Sequence, residues 1–444
     1  MRRSAITAAI LAALFTGSAA LPATATAVTA AEADATSATE SDIGDRLAAL
    51  PGVKIVSVAD KGGFPLYALT FTQPVDHRDP AKGTFEQRLT LWHKSTAAPV
   101  VFYTGGYALS SSTREITTLL DANQISVEHR FFGSSRPEQV DWKDLTIWQE
   151  ATDEHRIVET LRTLYQAKWL GTGASKGGMT QVYHERFYPA DLDAVVAYVA
   201  PNDAVNQDDH VYEEFFRTVG TPECRAALNA VQREMLVRRE ALLPRFEAAA
   251  AAKGYTFANL GGADRAYEFA VLDQVWNFWQ SGKPENCATI PDPAAATDEE
   301  LYTWVSANGL SIYADQRQGP AANGPYYHQA ATQLGWADLK FRHLRDVRRY
   351  PDLYQPNSVL PEEMRGRHQA LPMLDISTWV ATRGRQMMFL YGQNDPWSAE
   401  KFTPSTFDSH LYVAPDTNHS TLLPKLTAED RAAAEATIRR WAAS

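Results

Sequence analysis

Gly171-Thr172-Gly173-Ala174-Ser175-Lys176-Gly177-Gly178 contains the pattern G-x-S-x-G at Gly173, Ser175 and Gly177. The strand-like stretch Lys168-Trp169-Leu170 precedes it, and the helix-compatible Met179-Thr180-Gln181-Val182-Tyr183-His184 follows. Strand, tight turn and helix, in that order, are what a nucleophile elbow requires. Such a turn holds its serine in a strained backbone conformation, so the flanking residues must be small. It lifts the hydroxyl clear of the sheet and leaves the next N–H free to bind an oxyanion. The short pattern alone says little, because Gly and Ser also pair in loops. Its place between a strand and a helix gives it meaning.

A serine of this kind needs an acid and a histidine later in the chain, in that order. Gln386–Tyr391 reads as a buried strand running into Gly392-Gln393-Asn394-Asp395-Pro396-Trp397. Asp395, just past the strand end in a Pro-stiffened turn, suits the acid that orients a catalytic histidine. Leu411-Tyr412-Val413-Ala414 is a second short strand, leading to Pro415-Asp416-Thr417-Asn418-His419-Ser420. His419 is then the base. Taken singly, Asp395 reads as a turn cap and His419 as a surface histidine. Three such residues at three strand ends, in the right order, favour a triad of Ser175, Asp395 and His419. Asp416 is a competing acid, but it lies close to His419 in sequence.

The oxyanion needs two donors. One is the N–H of Lys176. The second is sought after Val100-Val101-Phe102-Tyr103, in Thr104-Gly105-Gly106-Tyr107, with Gly106 or Tyr107 donating. An ordinary glycine turn is the alternative reading. Glu128-His129-Arg130 follows the strand Ile125–Val127. Glu128 either faces the cleft and binds a substrate amino group or belongs to an internal ion pair that staples the loop.

Strand patterns recur at Ile55–Val58, Leu66–Phe71, Phe85–Trp92, Val100–Tyr103, Gln124–Val127, Trp169–Leu170, Ala194–Val199, Met387–Tyr391 and Leu411–Val413. The first few alternate, as in an antiparallel start; the later ones are short, apolar and separated by helical segments, as in a parallel sheet. Between Asp203 and Arg365 strand patterns vanish and helical stretches such as Cys224–Lys253 and Tyr267–Trp279 take over. The fold class is therefore α/β: an α/β-hydrolase core with a mainly helical cap inserted between nucleophile and acid. Core residues run from 46 to 202 and from 366 to 444, with the cap at 203–365. Such a cap overhangs the site. Its many aromatics, among them Trp276, Trp279, Tyr326, Tyr327 and Trp336, read mostly as cap core.

Met1-Arg2-Arg3, an apolar run from Ala5 to Phe15 and the A-x-A site Ala25-Thr26-Ala27 make residues 1–27 a secretory signal peptide. Its apolar part is too short for a membrane span. Residues 28–45, rich in Ala, Thr, Ser and acids, read as a disordered leader or pro-segment. The formal net charge is −11; removing Arg2 and Arg3 takes it to about −13. That argues against nucleic acid as a partner and fits a soluble secreted protein. The two cysteines, Cys224 and Cys287, pair by default in an exported chain, with two buried thiols as the alternative. No metal motif and no cofactor fingerprint occurs.

Phe71-Thr72-Gln73-Pro74-Val75-Asp76-His77, Thr84-Phe85-Glu86-Gln87-Arg88, Glu128-His129-Arg130-Phe131-Phe132-Gly133-Ser134-Ser135 and Asp395-Pro396-Trp397-Ser398 resemble the lysosomal prolyl carboxypeptidase and dipeptidyl-peptidase group. The serine motif departs from that group: Lys176 follows the nucleophile, and Thr104-Gly105-Gly106-Tyr107 lacks its acid. Ser175-Lys176-Gly177-Gly178-Met179-Thr180 and Tyr198-Val199-Ala200-Pro201-Asn202-Asp203 are similar instead to the secreted bacterial prolyl tri/tetrapeptidyl aminopeptidases. The resemblance runs from about Pro51 to the C-terminus. It implies a secreted, monomeric serine exopeptidase that needs no cofactor and no membrane. Its partners would be peptide substrates with free N-termini, cut preferably after proline. With no acid beside Tyr107, Glu128 is the default amino-group anchor; Trp397 is a candidate for substrate contact, and a few of the cap aromatics are expected to line a pocket for a flat ring such as proline. An esterase on the same scaffold and a non-catalytic binding protein are the other readings.

Overall fold

The computed structural model describes residues 43–443. The chain falls into two units, residues 1–46 and 47–444, and the second holds every strand of the sheet. The predicted signal peptide and the predicted leader up to residue 42 lie outside the described residues. Ile43–Asp45, which that leader is predicted to include, are helical; apolar Ile43 and Leu47 have the i, i+4 spacing of a helix face.

All nine predicted strand patterns form strands. They are β1 (Val53–Asp60), β2 (Pro65–Pro74), β3 (Thr84–Trp92), β4 (Val100–Thr104), β5 (Asn123–Val127), β6 (Trp169–Ala174), β7 (Ala194–Tyr198), β8 (Met387–Gly392) and β9 (His410–Ala414). They make one sheet in the order β1-β2-β3-β5-β4-β6-β7-β8-β9. The pairs β1–β2, β2–β3 and β3–β5 are antiparallel; every later pair is parallel. β2 alternates buried and half-buried residues, as an antiparallel strand with one covered face should. Every residue of β4, β5, β7 and β8 is buried, as strands covered on both faces should be, which explains the apolar runs of β4, β7 and β8. The helix Lys176–Phe187 packs over β4, β6 and β7, and the helix Ile147–Arg162 packs on it. This is an α/β-hydrolase fold with an extra edge strand, β1.

Parallel strands end on one edge of the sheet, and the turns after β6, β8 and β9 therefore meet there. Between β7 and β8 the described residues contain helices and turns but no strand. The main helices are His210–Thr218, Pro222–Val237, Arg239–Ala251, Ala263–Ser281 and Asp298–Ala307. They enclose their own core, in which Phe246, Phe269, Trp276, Leu301 and Tyr354 are buried together. The predicted single stretch Cys224–Lys253 turns at Arg238, whose guanidinium hydrogen-bonds the carbonyls of Pro293 and Ala296.

Cys224 and Cys287 are disulfide-bonded across a sequence separation of 63. The bond ties Pro222–Val237 to the turn Pro284–Thr289, which follows the helix Ala263–Ser281. Closing a loop of that length stabilises the fold by about 2–4 kcal/mol. A Cys224→Ser/Cys287→Ser double variant is thus expected to melt at a lower temperature in thermal unfolding. An unchanged midpoint would show that the bond contributes nothing.

Candidate active site

Ser175 sits between β6 and the helix Lys176–Phe187 with φ 56° and ψ −130°. A non-glycine residue reaches that region only under strain, and the surrounding structure must hold it there. Its N–H donates to the Tyr198 carbonyl at the end of β7 (2.8 Å), and its carbonyl accepts the Met179 N–H (3.0 Å). Gly106 explains the small residues. A Cβ on it would lie 2.8 Å from the Gly177 nitrogen and from the Lys176 carbonyl carbon. The loop after β4 therefore lies directly on the first turn of the serine helix, backbone to backbone.

The turn after β8 carries Asp395, fully buried. Its carboxylate accepts the Trp397 N–H (3.1 Å), the Ser398 hydroxyl (2.6 Å) and His419 Nδ1 (2.9 Å). With Nδ1 committed to Asp395, Nε2 is the free ring nitrogen. The competing acid Asp416 is exposed and gives its N–H to Gln393 (3.0 Å). The His419 loop rests on the end of the helix Ala263–Ser281. The His419 N–H donates to the Gln280 carbonyl (3.2 Å), and the Asn418 amide donates to Ser281 (2.9 Å) and Gly282 (2.8 Å). Trp397 donates from its indole to the Gln280 side chain (2.6 Å) and packs on Trp276 with ring centroids 4.7 Å apart. Ser175, Tyr107, Trp397 and His419 line one cavity of about 210 Å³.

The two oxyanion candidates after β4 are not equivalent. The Gly106 N–H donates to the Thr104 hydroxyl (3.1 Å), so it is spent inside the loop, and the expectation for Gly106 is corrected. The Lys176 side chain decides the next peptide. Its Nζ donates to the Gly106 carbonyl (2.6 Å). In a trans peptide the N–H points opposite to the C=O, so this bond turns the Tyr107 N–H away from the lysine. The Tyr107 carbonyl accepts the His129 N–H (3.0 Å), fixing the other side of the residue. The sequence pattern pointed only to the backbone of Lys176. Its side chain is buried, with Nζ 5.5 Å from the Tyr107 ring centre and 5.3 Å from that of Phe132. Burial pushes the amine down to about 7, while the charges of Glu150 and Glu154 pull it up.

Glu128 is not brought to the cavity, so the anchor reading is corrected in favour of the internal ion pair. It is fully buried and accepts from Arg88 Nε (2.8 Å) and Nη2 (2.5 Å), the Ser135 hydroxyl (2.6 Å) and the Leu109 N–H (3.0 Å). Burial would raise its pKa, but these donors, Arg88 first, hold it below the usual range. Arg130 is likewise clamped to Asp153 (2.6 and 2.8 Å). The triplet staples the loops that flank the site.

Two groups of acids near the site are absent from the sequence-based expectations. Asp273 lines the Ser175–His419 cavity. Burial raises its carboxyl above the usual range, against hydrogen bonds from Tyr313, Tyr354 and Asn277. A carboxyl in the buried run Phe269-Ala270-Val271-Leu272-Asp273 is a signal the sequence did hold. The second group, Asp203, Asp209 and Glu400, has no such local mark. Asp203 borders a recess of about 20 Å³ beside Ser175, shared with Tyr212, Tyr326, Trp336 and Trp397. Burial, aided by Glu400 and Asp209, holds Asp203 at about 8; burial also puts Glu400 at about 7 and Asp209 at about 6. Carboxyls whose pKa is raised on folding bind more protons in the folded state, so from about pH 5 to 7 their contribution falls as pH rises. Lys176, lowered to about 7, acts in the opposite sense only above that pH. Burial lowers His129, His328, His343 and His368, which act in the opposite sense in this window. Asp203→Asn is therefore expected to gain thermal midpoint relative to the wild type as pH rises from about 5 to about 7. A difference between the two proteins that does not change with pH would remove Asp203 as a source.

Residues 36–444 match the family described as PS-10 peptidase S37. The chain is 46% identical over 412 residues to the prolyl tri/tetrapeptidyl aminopeptidase of Streptomyces mobaraensis, covering 91% of this chain and 86% of that one. It is 27% identical over 191 residues to the serine protease vicPb of Bipolaris victoriae (strain FI3), covering 36% of this chain and 35% of that one. Among solved structures, the proline iminopeptidase of Mycobacterium smegmatis is similar at 15% identity and a TM-score of 0.42, over 84% of this chain and 99% of that one. The nearly full-length family match and the 46% identity, on a fold that presents a serine turn and an Asp–His pair to one cavity, place this chain in the peptidase S37 family of serine peptidases.

Proposed function

We propose that this serine aminopeptidase releases tri- or tetrapeptides from free N-termini, cutting after proline through an acyl-enzyme. The observation that carries the reading is the strained Ser175 turn facing the same cavity as the His419–Asp395 pair. Ser175 Oγ attacks the scissile carbonyl while His419 Nε2 takes its proton and later returns it to the leaving amine. Asp395, buried and hydrogen-bonded to Nδ1, keeps the imidazole in that tautomer and stabilises its charged form. The N–H groups of Lys176 and Tyr107 bind the oxyanion. Water then repeats the sequence on the ester.

Tyr326, Trp336 and Trp397 line the cavity beside Ser175 and offer aromatic faces for a flat apolar ring such as proline's. The helices between β7 and β8 wall the cavity, which favours chain ends over folded proteins. The disulfide fits an exported protein.

Peptides with proline at position two, three or four, digested and read by mass spectrometry, test this. Release of a tri- or tetrapeptide ending in proline is expected. Internal cleavage, or release from the C-terminal end, would overturn the reading.

A further inference from the structure

One face of the helix Ala263–Ser281 borders the cavity. Asp273, Trp276, Asn277 and Gln280 line it, at the i, i+3, i+4, i+7 spacing of a single helix face. Gln280 belongs to the catalytic end: its carbonyl accepts the His419 N–H (3.2 Å) and its side chain accepts the Trp397 indole (2.6 Å). Asp273 stands two turns earlier. Its carboxyl accepts from the hydroxyls of Tyr354 (2.6 Å) and Tyr313 and from the Asn277 amide. All three donors are neutral, and among the described residues it has no cationic partner. A buried carboxylate normally pairs with a cation. Here the open side is the cavity, and a ligand's positive charge would complete it. Three further groups lining the cavity are buried without partners, Trp276 Nε1, Trp336 Nε1 and Gln318 Oε1. They offer two donors and an acceptor to a peptide backbone.

We propose that Asp273 anchors the α-ammonium of the peptide substrate and sets how many residues are released. The proposal rests on the aminopeptidase reading of the site. From Gln280 back to Asp273 the helix rises about 10 Å, at roughly 1.5 Å per residue. Three extended residues span about the same distance, at roughly 3.3 Å each. A peptide that places its ammonium on Asp273 and follows the helix face therefore reaches the Ser175–His419 end after three residues. A blocked or absent amine leaves the carboxylate buried and unpaired, which disfavours such substrates in the same step.

The test compares peptides with proline third, each with a free or an acetylated amino terminus, on the wild-type protein, D273N and D273E. Labelling by a serine-directed phosphonate identifies the variants with an intact site. Wild-type kcat/KM is expected to favour the free amine by about a hundredfold, the scale of one buried charge pair. In D273N that ratio should fall to within about threefold, because the neutral amide no longer selects the ammonium. A D273N protein that labels and still shows the hundredfold ratio overturns the anchor alone. A wild-type protein that cuts both peptides equally overturns the aminopeptidase reading and the anchor with it. If D273N does not label, D273E decides. Its carboxylate sits one methylene further into the cavity, so either the preferred proline position moves or the free-amine ratio falls by about tenfold. Wild-type values for both in D273E overturn the anchor.

Discussion

Ser175→Ala is expected to lower kcat by about 10⁶, with KM and the melting temperature near the wild-type values. The size follows from what a nucleophile does. Without Oγ no acyl-enzyme forms, and the Asp395–His419 pair has nothing to activate, so one deletion removes the work of all three residues. The activity that stays comes only from transition-state binding by the backbone donors and positioning by the cavity. The fold should not suffer. The side chain is half-buried, and the strained φ of 56° belongs to the backbone, which alanine follows no less easily than serine. Steady-state kinetics on a prolyl peptide, with circular dichroism as the control for folding, measure both quantities. Retention of more than about one per cent of kcat would exclude Ser175 as the nucleophile.

Lys176→Met is expected to cost about 10²–10³ in kcat with little change in KM. Lys176 acts as a positioning residue. Its Nζ holds the Gly106 carbonyl at 2.6 Å, and that carbonyl shares a peptide plane with the Tyr107 N–H. Methionine fills the same space between Tyr107 and Phe132 but cannot hold the carbonyl. The plane is then free to turn, and one of two oxyanion donors is lost. The ground-state carbonyl needs that donor less than the tetrahedral adduct does, so kcat falls and KM does not. A peptide aldehyde, which forms a tetrahedral adduct on the serine, should lose affinity in parallel with kcat, while a product tripeptide should not. A merely structural role would move both ligands together, or would lower the melting temperature without touching the ratio. Equal loss for aldehyde and product would overturn the positioning role.

Much of the fold was legible because its determinants are local. Strand alternation in β2 and β3, apolar runs in β4, β7 and β8, and glycines around Ser175 each depend on neighbours a few residues away. The turns bearing Asp395 and His419 were legible for the same reason: a short apolar run followed by Pro, Asn and Asp ends a strand. Glu128 was not. An acid beside an apolar strand end reads equally as a ligand group or an ion pair, and the deciding partner, Arg88, lies 40 residues away on β3. Gly106 and Tyr107 were indistinguishable by sequence, since only the folded loop shows the Thr104 hydroxyl meeting one N–H and Lys176 turning the other. Asp273 gained its setting from Tyr313 and Tyr354, 40 and 81 residues further on.

By itself, then, the sequence determined the strand pattern, the turn at Ser175, the placing of Asp395 and His419 after later strands, and the pair of cysteines able to bond. Periodicity and turn chemistry act over single turns and strands, where chain neighbours are also spatial neighbours. Only the tertiary structure decided which N–H of the loop after β4 is spent inside that loop, which carboxyl lines the cavity and which is sealed in an ion pair. Those outcomes depend on burial and on partners brought together across the sheet edge and the helical insertion, and no local spacing encodes them.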